Sequence, residues 1–454
     1  MKILVLSHVS DYVGGAERSI LDVIDYWKSQ HKDLKVEFIL RKPLGSYVNE
    51  LKKRKYKYHA VDYIYWNDSN LPKDSDKERL FITSLRNARA IKEIEQIIVK
   101  VKPDYVITNS IVAPWAAFAA YYQGIPHVWF VREYGDLDHG RDFEIGAGPT
   151  FTDIGNLSEL VVSNSKTLAE YVGHYIDSRK IVTLYNPFNL DDLRNRANEI
   201  IENPFVSNDS LKLVLTSGGI TPSKGHLDSV KAVGTLVRKG YDIELVFVGR
   251  DGPKDFMSQL KNEIDSYGIK NRVHFVGYQK NPLAYVKKAD VGIMASNKEA
   301  FGRVTFEYMA IGTPVVGANS GATPEIVDDK VSGLLYKVGD VNDLAKKIEI
   351  YANNKNLIKK HGEEAIKKTQ IMMSGKNNPG YLYDQIIKML DKKLQKTVVI
   401  NYTHRWLDYP AIAYDYINSM NEMSISRLIY KKMRQRAKKV YIVIRGLYAK
   451  VAGK

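Results

Sequence analysis

Along the first 190 residues, hydrophobic positions follow two alternating patterns. Short and almost continuous apolar runs predict buried strands, whereas longer segments with apolar residues every three or four positions predict amphipathic helices. Residues 16–29 show the second pattern, since their apolar side chains share one helical face. The predicted strands lie at 2–7, 35–40, 58–64, 104–108, 127–131, 160–163 and 181–184, and the helices at 16–29, about 79–101 and near 114–122. Strands that alternate with helices indicate a mostly parallel sheet covered on both faces.

A second series of the same kind follows a polar stretch at 190–210, which is interpreted as an irregular linker. Its predicted strands lie at 211–217, 243–249, 272–276 and 290–295, and its predicted helices end near 239 and cover 254–267, 282–288 and 340–353. The fold class is therefore α/β, with two Rossmann-like doubly wound domains that face a cleft at the carboxyl ends of their strands. The predicted boundaries are 1–190 for the N-terminal domain, 205–375 for the C-terminal domain, 376–395 for a closing helix and 396–454 for a tail.

The length of 454 residues is too great for one hydrophobic core, which agrees with two domains. The chain has no cysteine, so disulfides, thiolate metal sites and cysteine nucleophiles are excluded, and a cytoplasmic protein is favoured. The first ten residues are interpreted as a buried strand rather than a signal peptide, because the apolar run is short and a Gly-Gly loop follows it. No apolar stretch approaches the roughly 18 residues that a membrane span requires.

The net charge of +15 is concentrated at one end of the sequence. Residues 427–454 contain ten Lys or Arg and no Asp or Glu, which leaves +5 for the rest of the chain. Apolar and aromatic residues recur there at helical spacing, so a basic amphipathic helix suited to an anionic membrane surface is predicted. The alternative is a helix that packs on its own domain and leaves its basic face in solvent. Nucleic acid is disfavoured as a partner, because no nucleic-acid-binding fold accompanies the basic segment.

The segment from Glu299 to Glu307 reads EAFGRVTFE and is the most informative part of the sequence for function. If a helix starts near Arg303, its first amides are unpaired and its dipole favours an anion. Glu299 then lies in the loop before the helix, and Glu307 in its first turn or two. We expect one carboxylate to face a bound sugar, the other a ribose, and the amides between them a phosphate.

Ordered blocks of the sequence resemble retaining family 4 glycosyltransferases, which have the GT-B fold of two Rossmann-like domains. The most specific block is the E-x7-E pair with Phe301-Gly302 inside it, followed by MAIGTPVV, SGATPEIV and SGLLY. The other blocks lie in family order at 14–17 (GGAE), 217–225 (SGGITPSKG), 244–253 (ELVFVGRDGP) and 273–278 (VHFVGY). The resemblance covers residues 1 to about 390 and leaves the basic tail outside.

The resemblance implies a role for each residue that matches a motif. Glu299 matches the glutamate that bonds the hydroxyls of the donor sugar, Glu307 the one that holds the ribose, and Lys224 the lysine that neutralises the diphosphate leaving group. The other implied donor contacts are the backbone of Phe301, Gly302, Arg303 and Val304 at the sugar or diphosphate, Gly14 and Gly15 from across the cleft, and Gly277 and Tyr278 at the base.

One departure from the family pattern concerns the phosphate site. The family often has an arginine shortly before the lysine that matches Lys224, and Gly219 stands at that position here. Half of the usual cation pair is therefore missing from its usual place. Arg303, inside the motif, or Arg250 is expected to replace it.

A second departure concerns the N-terminal domain. The family often has a histidine after the strand that matches 127–131, whereas this chain has Arg132-Glu133. Arg132 or Glu133 is expected to touch the donor or the acceptor, and both join Glu299 and Lys224 as the candidate catalytic residues. His127, at the other end of that strand, is expected to be packed in the domain.

These observations predict a metal-independent, retaining glycosyltransferase at the cytoplasmic face of the membrane. Its expected donor is a nucleotide diphosphate sugar, most simply UDP-linked, and its expected acceptor is a lipid-linked or surface-polysaccharide glycan. No Asp-x-Asp is placed to hold a divalent metal, and no cofactor is expected beyond the nucleotide-sugar substrate. Two alternatives stay open: an isomerase resembling a UDP-sugar 2-epimerase, and a non-catalytic nucleotide-sugar-binding partner of another transferase.

Overall fold

The structure is a computed structural model that describes residues 1–12, 14–66, 77–139, 143 and 146–391. The predicted basic tail at 396–454 lies outside the described residues, as does the end of the predicted closing helix. The strands are β1 (Lys2–Ser7), β2 (Lys35–Arg41), β3 (Lys57–Val61), β4 (Tyr105–Asn109), β5 (His127–Val131), β6 (Leu160–Ser163), β7 (Ile181–Thr183), β8 (Leu211–Gly219), β9 (Ile243–Arg250), β10 (Val273–Phe275), β11 (Val291–Met294), β12 (Val315–Ala318) and β13 (Gly333–Tyr336).

Helices connect these strands in both halves of the chain. They are α1 (Gly15–Gln30), α2 (Tyr47–Lys53), α3 (Lys77–Val101), α4 (Trp115–Tyr122), α5 (Asp136–His139), α6 (Ala147–Leu157), α7 (Lys166–Gly173), α8 (Leu190–Ala197), α9 (His226–Arg238), α10 (Lys254–Tyr267), α11 (Leu283–Lys288), α12 (Arg303–Ala310), α13 (Thr323–Ile326), α14 (Val341–Asn353), α15 (Lys355–Met372) and α16 (Pro379–Leu390). Single 3-10 turns lie at 178–180, 222–224 and 375–377.

The strands form two separate parallel sheets, one in each half of the chain. The first has the order β3-β2-β1-β4-β5-β6-β7, and the second the order β10-β9-β8-β11-β12-β13. In each sheet the strand order reverses beside the first strand, between β1 and β4 or between β8 and β11. Ligands bind to open parallel sheets at this switch point, outside the carboxyl ends of the strands. The predicted fold class, with two doubly wound domains, is confirmed.

Both faces of each sheet are buried, which explains why the strands read as continuous apolar runs. On β1, Leu4 and Leu6 belong to one apolar cluster, whereas Ile3 and Val5 belong to the cluster on the opposite face. Successive side chains of a strand point to opposite faces, so helices must cover both sides of the sheet. Residues 213–215 of β8 divide in the same way between the two clusters of the C-terminal domain.

The helix α12 is fixed on its sheet by one tyrosine. The Tyr308 ring lies directly over Gly292 of β11, where any side chain larger than hydrogen would collide with it. The Tyr308 hydroxyl accepts a hydrogen bond from the Thr216 amide at 2.6 Å and donates to Thr216 Oγ1 at 3.0 Å. The position of α12, and of the loop before it, is therefore set by contacts with two strands of the sheet.

The predicted irregular linker at 190–210 is wrong in its first part, because α8 occupies Leu190–Ala197. The Asn189 side chain caps this helix by accepting from the Asp192 amide at 3.0 Å. The helix is mostly polar, but Leu193 and Ala197 form a short apolar face. Both are buried in a cluster of the C-terminal domain. The helix thus gains its stability from tertiary packing rather than from an obvious hydrophobic period.

A carboxylate of the C-terminal domain binds the start of a helix in the N-terminal domain. Glu325 of α13 accepts from the amides of Lys166 and Thr167, the first residues of α7, at 2.9 and 2.7 Å. It also accepts from Thr167 Oγ1 at 2.6 Å and from the Tyr185 hydroxyl at 2.9 Å. The unpaired amides at a helix start favour a negative charge, so this contact holds the two domains together.

The last described helix, α16, returns to the N-terminal domain. Trp27 Nε1 of α1 donates to the Pro379 carbonyl oxygen at 2.6 Å, and the Tyr383 ring stacks on His31 with 4.1 Å between centroids. Leu382 and Ile386 are buried in the same apolar cluster as the α1 side chains. The chain therefore crosses from the C-terminal domain to the N-terminal domain before α16.

Replacing Leu382 with Ala is expected to destabilise the N-terminal domain by about 3 kcal/mol, because a fully buried leucine leaves a cavity that its neighbours fill only in part. Thermal or denaturant unfolding followed by tryptophan fluorescence measures this loss. The matched control is Lys388→Ala, since Lys388 lies on the same helix and is exposed. Equal stability of the two variants would show that α16 does not pack as described.

Candidate functional site

A cavity of about 430 Å³ lies between the domains, at the carboxyl ends of the strands of both sheets. Most of the residues predicted from the sequence line it: Gly14, Gly15, Arg132, Glu133, Lys224, Glu299, Phe301, Gly302, Arg303 and Val304. The others are absent from its lining: Gly219, Arg250, Gly277, Tyr278 and Glu307. The first group comes from both domains, so the cavity exists only where the two halves meet.

The loop before α12 has the geometry that the motif predicts. The helix begins at Arg303, as expected, and Gly302 has a left-handed backbone with φ of +84°. Glycine adopts that conformation without the strain that other residues incur. No side chain caps this helix start, so its first amides are available to a ligand in the cavity. An anion is the ligand that such a helix start favours.

Phe301 contributes to the cavity through its backbone rather than its ring. The ring is 2% exposed and packs against Tyr185, Phe188 and Phe306, with centroid separations of 5.7 to 6.3 Å. This aromatic cluster holds the loop against the segment that joins the domains. A buried ring therefore positions the backbone amides that face the cavity.

Lys224 and Glu299 form an ion pair inside the cavity, with 2.6 Å between Nζ and Oε1. Lys224 ends a 3-10 turn, and Gly225, which follows it, has φ of +69°. A side chain at Gly225 would collide with Ala295 at the end of β11, so the glycine lets this turn approach the motif closely. The two candidate catalytic residues of the C-terminal domain are thus in direct contact.

Arg303 extends across the cleft to the N-terminal domain. Its guanidinium lies 3.8 Å from Asp22 of α1, 3.9 Å from Glu307 and 4.3 Å above the Phe188 ring. Burial lowers the pKa of Arg303 from its ordinary value, and the two carboxylates oppose that effect. Gly15 leaves room for the arginine, since a Cβ there would lie 2.9 Å from Arg303 Cδ. The expected role of Arg303 as second phosphate cation stays a prediction, and in this structure it bridges the domains.

Arg132 follows β5 and is buried in the wall of the N-terminal domain. Its Nε donates to Asn109 Oδ1 at 2.6 Å, and its Nη1 donates to Asn186 Oδ1 at 2.8 Å. Burial lowers the pKa of the guanidinium to about 10, against the opposing effect of Glu133, so it stays charged near neutral pH. Glu133 accepts from the Ser110 hydroxyl and from the Ile111 amide, which fixes the loop after β4.

His127 is packed in the domain, as expected. Its Nε2 is 2.8 Å from Thr108 Oγ1, and its Nδ1 is 3.1 Å from Ser158 Oγ. Burial lowers its pKa to about 3, so it is neutral at physiological pH. It is absent from the lining of the cavity.

The predicted base-binding residues form a separate group beside the cavity. Gly219 pairs with Arg250 at the ends of β8 and β9, and the Gly249 amide donates to the Gly277 carbonyl oxygen at 3.0 Å. The Arg250 guanidinium lies 4.5 Å from the centroid of the half-exposed Tyr278 ring. This group continues the cavity wall, which includes Gly218, and its predicted contact with a base stays a prediction.

Glu17, in the first turn of α1, is buried in the site, and no role was assigned to it from the sequence. The side chain is 2% exposed, lines the cavity and accepts from the amides of Gly14 and its own residue. Its Oε1 is also 3.5 Å from His8 Nε2. Burial raises the pKa of Glu17 to about 7. The GGAE motif contains the relevant signal, because it places an acid directly after a glycine turn that exposes amides.

The described residues contain neither a cluster of metal ligands nor a helix able to span a membrane. Within the described part of the chain, no three or more His, Asp or Glu side chains are grouped as metal ligands. Among the same residues, no helix combines the length and the apolar character that a membrane span requires. The expectation of metal-independent chemistry stays a prediction.

Two family descriptions match the chain, one for each domain. Residues 13–192 match "Glycosyltransferase Family 4", and residues 197–368 match "Glycosyl transferases group 1". Together the matches cover more than half of the chain.

Curated relatives match over part of their length. N-acetyl-alpha-D-glucosaminyl L-malate synthase of Bacillus anthracis is 28% identical over 50% of this chain and 60% of the relative. Protein CapJ of Staphylococcus aureus is 33% identical over 37% of this chain and 41% of the relative. An N-acetylgalactosamine-N,N'-diacetylbacillosaminyl-diphospho-undecaprenol 4-alpha-N-acetylgalactosaminyltransferase of Campylobacter jejuni is 28% identical over 46% of this chain and 54% of the relative. The chain thus spans less than two thirds of each of these relatives.

Solved structures match over most of the chain. Anabaena Alr3699/HepE in complex with UDP and glucose has a TM-score of 0.64 at 20% identity, covering 86% of this chain and 99% of that one. A glycosyltransferase from Rickettsia africae has a TM-score of 0.67 at 23% identity, covering 87% of this chain and 99% of that one. At these identities the likeness shows the fold, which is the GT-B arrangement.

The buried Glu17 predicts a pH dependence of stability. Because its pKa rises from 4.5 to about 7 on folding, its contribution to stability is fully present below pH 4.5 and is lost as the pH rises through 7. Glu17→Gln removes this titration. Between pH 5 and pH 8 the variant should therefore gain about 2 kcal/mol of unfolding free energy relative to the native protein.

Denaturant unfolding at the two pH values measures this difference. His8, Arg132, Glu133 and Asp22 also surround this end of α1 and are present in both proteins, so the comparison reports the replacement of Glu17. The matched control is Glu363→Gln, which makes the same substitution at an exposed position outside the cavity. A constant difference for Glu17→Gln would contradict the burial of an ionisable carboxyl.

Proposed function

We propose that this chain, which belongs to the group 1 glycosyltransferases, transfers a sugar from a UDP-linked donor to a glycan acceptor with retention of anomeric configuration. The observation that supports this most is the interdomain cavity, where Lys224 and Glu299 are in contact beside the uncapped start of α12. A cation, a carboxylate and oriented amides together suit a diphosphate attached to a sugar. The UDP-bound Alr3699/HepE structure, which shares the fold, supports the choice of a uridine nucleotide.

In this proposal the diphosphate of the donor lies at the start of α12. The amides of residues 301–304 donate to its oxygens, and Lys224 neutralises the charge that develops as the sugar leaves. Lys224 exchanges part of its contact with Glu299 for the phosphate oxygens. Glu299 then accepts hydrogen bonds from the hydroxyls of the sugar, and Glu307 from those of the ribose.

The proposed reaction exchanges one bond at the anomeric carbon for another. The bond to the diphosphate oxygen breaks, the acceptor hydroxyl oxygen bonds to the same face of that carbon, and the hydroxyl proton passes to the leaving phosphate. No protein nucleophile is needed, because the acceptor oxygen attacks directly on the face that the diphosphate leaves. No protein base is needed, because the leaving phosphate accepts the proton. A fixed lysine and oriented amides supply the electrostatic stabilisation, so the proposal assigns no step to a metal or cofactor.

We further propose a lipid-linked glycan as the acceptor and the cytoplasmic face of the membrane as the location. The name of the Campylobacter jejuni relative describes an acceptor linked to diphospho-undecaprenol, which supports the lipid. The basic composition of residues 427–454 supports contact with an anionic membrane surface. An acceptor held in the membrane requires an enzyme that stays close to the surface.

Replacing Lys224 or Glu299 with Ala is expected to lower turnover by roughly 10²–10³-fold, because each removes a group that acts on the developing charge or the sugar. Release of UDP from a panel of UDP-sugars, with lipid-linked acceptors, measures turnover. The matched controls are Lys254→Ala and Glu363→Ala, which change exposed residues outside the cavity.

The same assay separates transfer from the alternatives. A new sugar epimer formed without any acceptor would identify an isomerase, whereas UDP release that requires an acceptor identifies a transferase. Full activity in both the Lys224 and Glu299 variants would refute the assigned site. Donor binding without any turnover would identify a non-catalytic binding protein.

Truncation after residue 395 is expected to release the protein from anionic liposomes, because it removes the ten basic residues of 427–454. Co-sedimentation with phosphatidylglycerol-containing vesicles measures binding, and vesicles of phosphatidylcholine alone are the control. Turnover on a water-soluble acceptor should not change, since the described cavity lies within residues 8–304. Unchanged sedimentation of the truncated protein would refute membrane contact through this segment.

A further inference from the structure

The loop that carries Glu299 contacts both domains. On the side of its own domain, the Asn297 amide donates to the Ser223 carbonyl oxygen at 3.1 Å, and the Glu299 carbonyl oxygen accepts from the Ala322 amide at 2.9 Å. These two hydrogen bonds fix the backbone on either side of Lys298 to the C-terminal domain. The Lys298 side chain is half-buried, lines the cavity and reaches the N-terminal domain.

The ammonium of Lys298 lies against two tyrosine rings of the N-terminal domain. Its Nζ is 4.5 Å from the centroid of the Tyr134 ring and 5.9 Å from that of the Tyr171 ring. The two rings pack edge to face, with centroids 5.1 Å apart. Within the described residues, no carboxylate forms an ion pair with this ammonium, so its electrostatic contact is with the rings. A cation this close to an aromatic face is attracted by the quadrupole of the ring.

Tyr134 is itself held firmly in the N-terminal domain. Its side chain is fully buried, and its amide donates to Asp138 Oδ2 at 2.9 Å. The next amide, that of Gly135, donates to the other oxygen of the same carboxylate at 2.9 Å. The Lys298 ammonium therefore packs on a ring whose position the N-terminal domain fixes.

The contact joins positions that are next to candidate catalytic residues in both domains. Lys298 directly precedes Glu299, and Tyr134 directly follows Glu133. Both glutamates line the cavity, each from a different domain. Because the backbone at Glu299 is fixed to the C-terminal domain, the distance between the two cavity walls at this point depends on how Lys298 meets Tyr134.

We propose that Lys298 is a positioning residue, which sets the separation between Glu299 and the Glu133 wall of the cavity through its cation–π contact with Tyr134. The inference rests on the proposed function, in which Glu299 contacts the donor sugar. It adds to that function a residue that acts through the placement of Glu299 and not through a contact with substrate.

Two other contacts between the domains remain when this one is removed. Arg303 still faces Asp22, and Glu325 still binds the first amides of α7. The loss of the Lys298 contact should therefore displace the cavity walls without separating the domains. A cation–π contact at a half-buried position changes an equilibrium by about tenfold, so we expect a moderate fall in turnover and not its abolition.

Substitutions on both sides of the contact test this role. Lys298→Met removes the charge but keeps the length of the side chain, and Tyr134→Leu removes the ring. Each is expected to lower kcat for sugar transfer by about tenfold. The Kd of UDP, measured by isothermal titration calorimetry, should change less than twofold, because the proposed diphosphate contacts of Lys224 and α12 lie within the C-terminal domain.

The conservative variants Lys298→Arg and Tyr134→Phe should restore most of the turnover. Lys298→Arg keeps a cation, and Tyr134→Phe keeps the ring. The Tyr134 hydroxyl has no hydrogen-bond partner among the described residues, so its removal breaks no hydrogen bond there. If Tyr134→Leu does not fold, as judged by circular dichroism and thermal unfolding, the comparison of Lys298→Met with Lys298→Arg decides the outcome.

The double variant separates positioning from a direct action on substrate. If Lys298 acts through Tyr134, Lys298→Met combined with Tyr134→Leu loses no more turnover than either single variant, because both remove the same contact. Losses that multiply would show that Lys298 acts independently of Tyr134, and they would overturn the inference.

The separation of the domains can be measured without any turnover. Since the sequence has no cysteine, spin labels can be attached at Arg179→Cys in the N-terminal domain and Val331→Cys in the C-terminal domain, both exposed positions. Double electron–electron resonance then gives the distribution of distances between the labels. Introducing Lys298→Met should broaden this distribution or move it to longer distances, and Lys298→Arg should not.

The matched control is Arg238→Met. The Arg238 guanidinium lies 4.2 Å from the centroid of the Tyr267 ring, so this variant also removes a cation–π contact, but both residues belong to the C-terminal domain and lie outside the cavity lining. It should change neither kcat nor the distance distribution.

Failure of the inference and failure of the proposed function give different results. A folded Lys298→Met protein with the native kcat and the native distance distribution overturns the inference, even though sugar transfer occurs. A changed distance distribution in that variant, while the native protein transfers no sugar, supports the role of Lys298 in placing the walls and overturns the proposed reaction.

Discussion

The candidate site depends on the burial of one guanidinium between the two domains. Arg303 belongs to the C-terminal domain, but its charge is balanced by Asp22 of the N-terminal domain as well as by Glu307 of its own helix. A buried cation without such partners would be expensive, and a pair that loses one member is strongly destabilised. The domains are therefore held at a separation that keeps Asp22 close to Arg303. That separation creates a cavity in which Lys224 and Glu299 face Arg132 and Glu133.

Much of this arrangement follows from local sequence patterns, and the rest depends on contacts between distant residues. The helix start at Arg303 was predictable because a glycine, two glutamates and an apolar run lie within nine positions. The burial of Glu17 and the contacts of Arg132 with two asparagines were not, because they arise between α1, the end of β4 and the residues that follow β5 and β7. The helix α8 was missed because Leu193 and Ala197 become a hydrophobic face only against the C-terminal domain.

The EAFGRVTFE motif needs one unusual backbone conformation and is held in place by rigid side chains. Gly302 supplies a left-handed conformation, while the rings of Phe301 and Tyr308 fix the loop and the helix on either side of it. Preorganised donors are effective because no reorganisation is needed when charge develops on a ligand. Some residues of the motif would thus contact a ligand. Others, such as Phe301 and Tyr308, hold the backbone amides in place.

The return of α16 to the N-terminal domain has a mechanical consequence. The polypeptide that continues beyond Asp391 starts from the N-terminal domain, although the preceding 170 or so residues belong to the other one. Anchorage through that continuation would immobilise the half that contributes Arg132 and Glu133. The C-terminal domain, which contributes Lys224 and Glu299, would then be the mobile one. Nucleotide exchange would require this domain to move away from the immobilised N-terminal domain. If the chain is anchored to a membrane as proposed, the packing of α16 on the N-terminal domain would therefore decide which substrate site moves relative to that membrane.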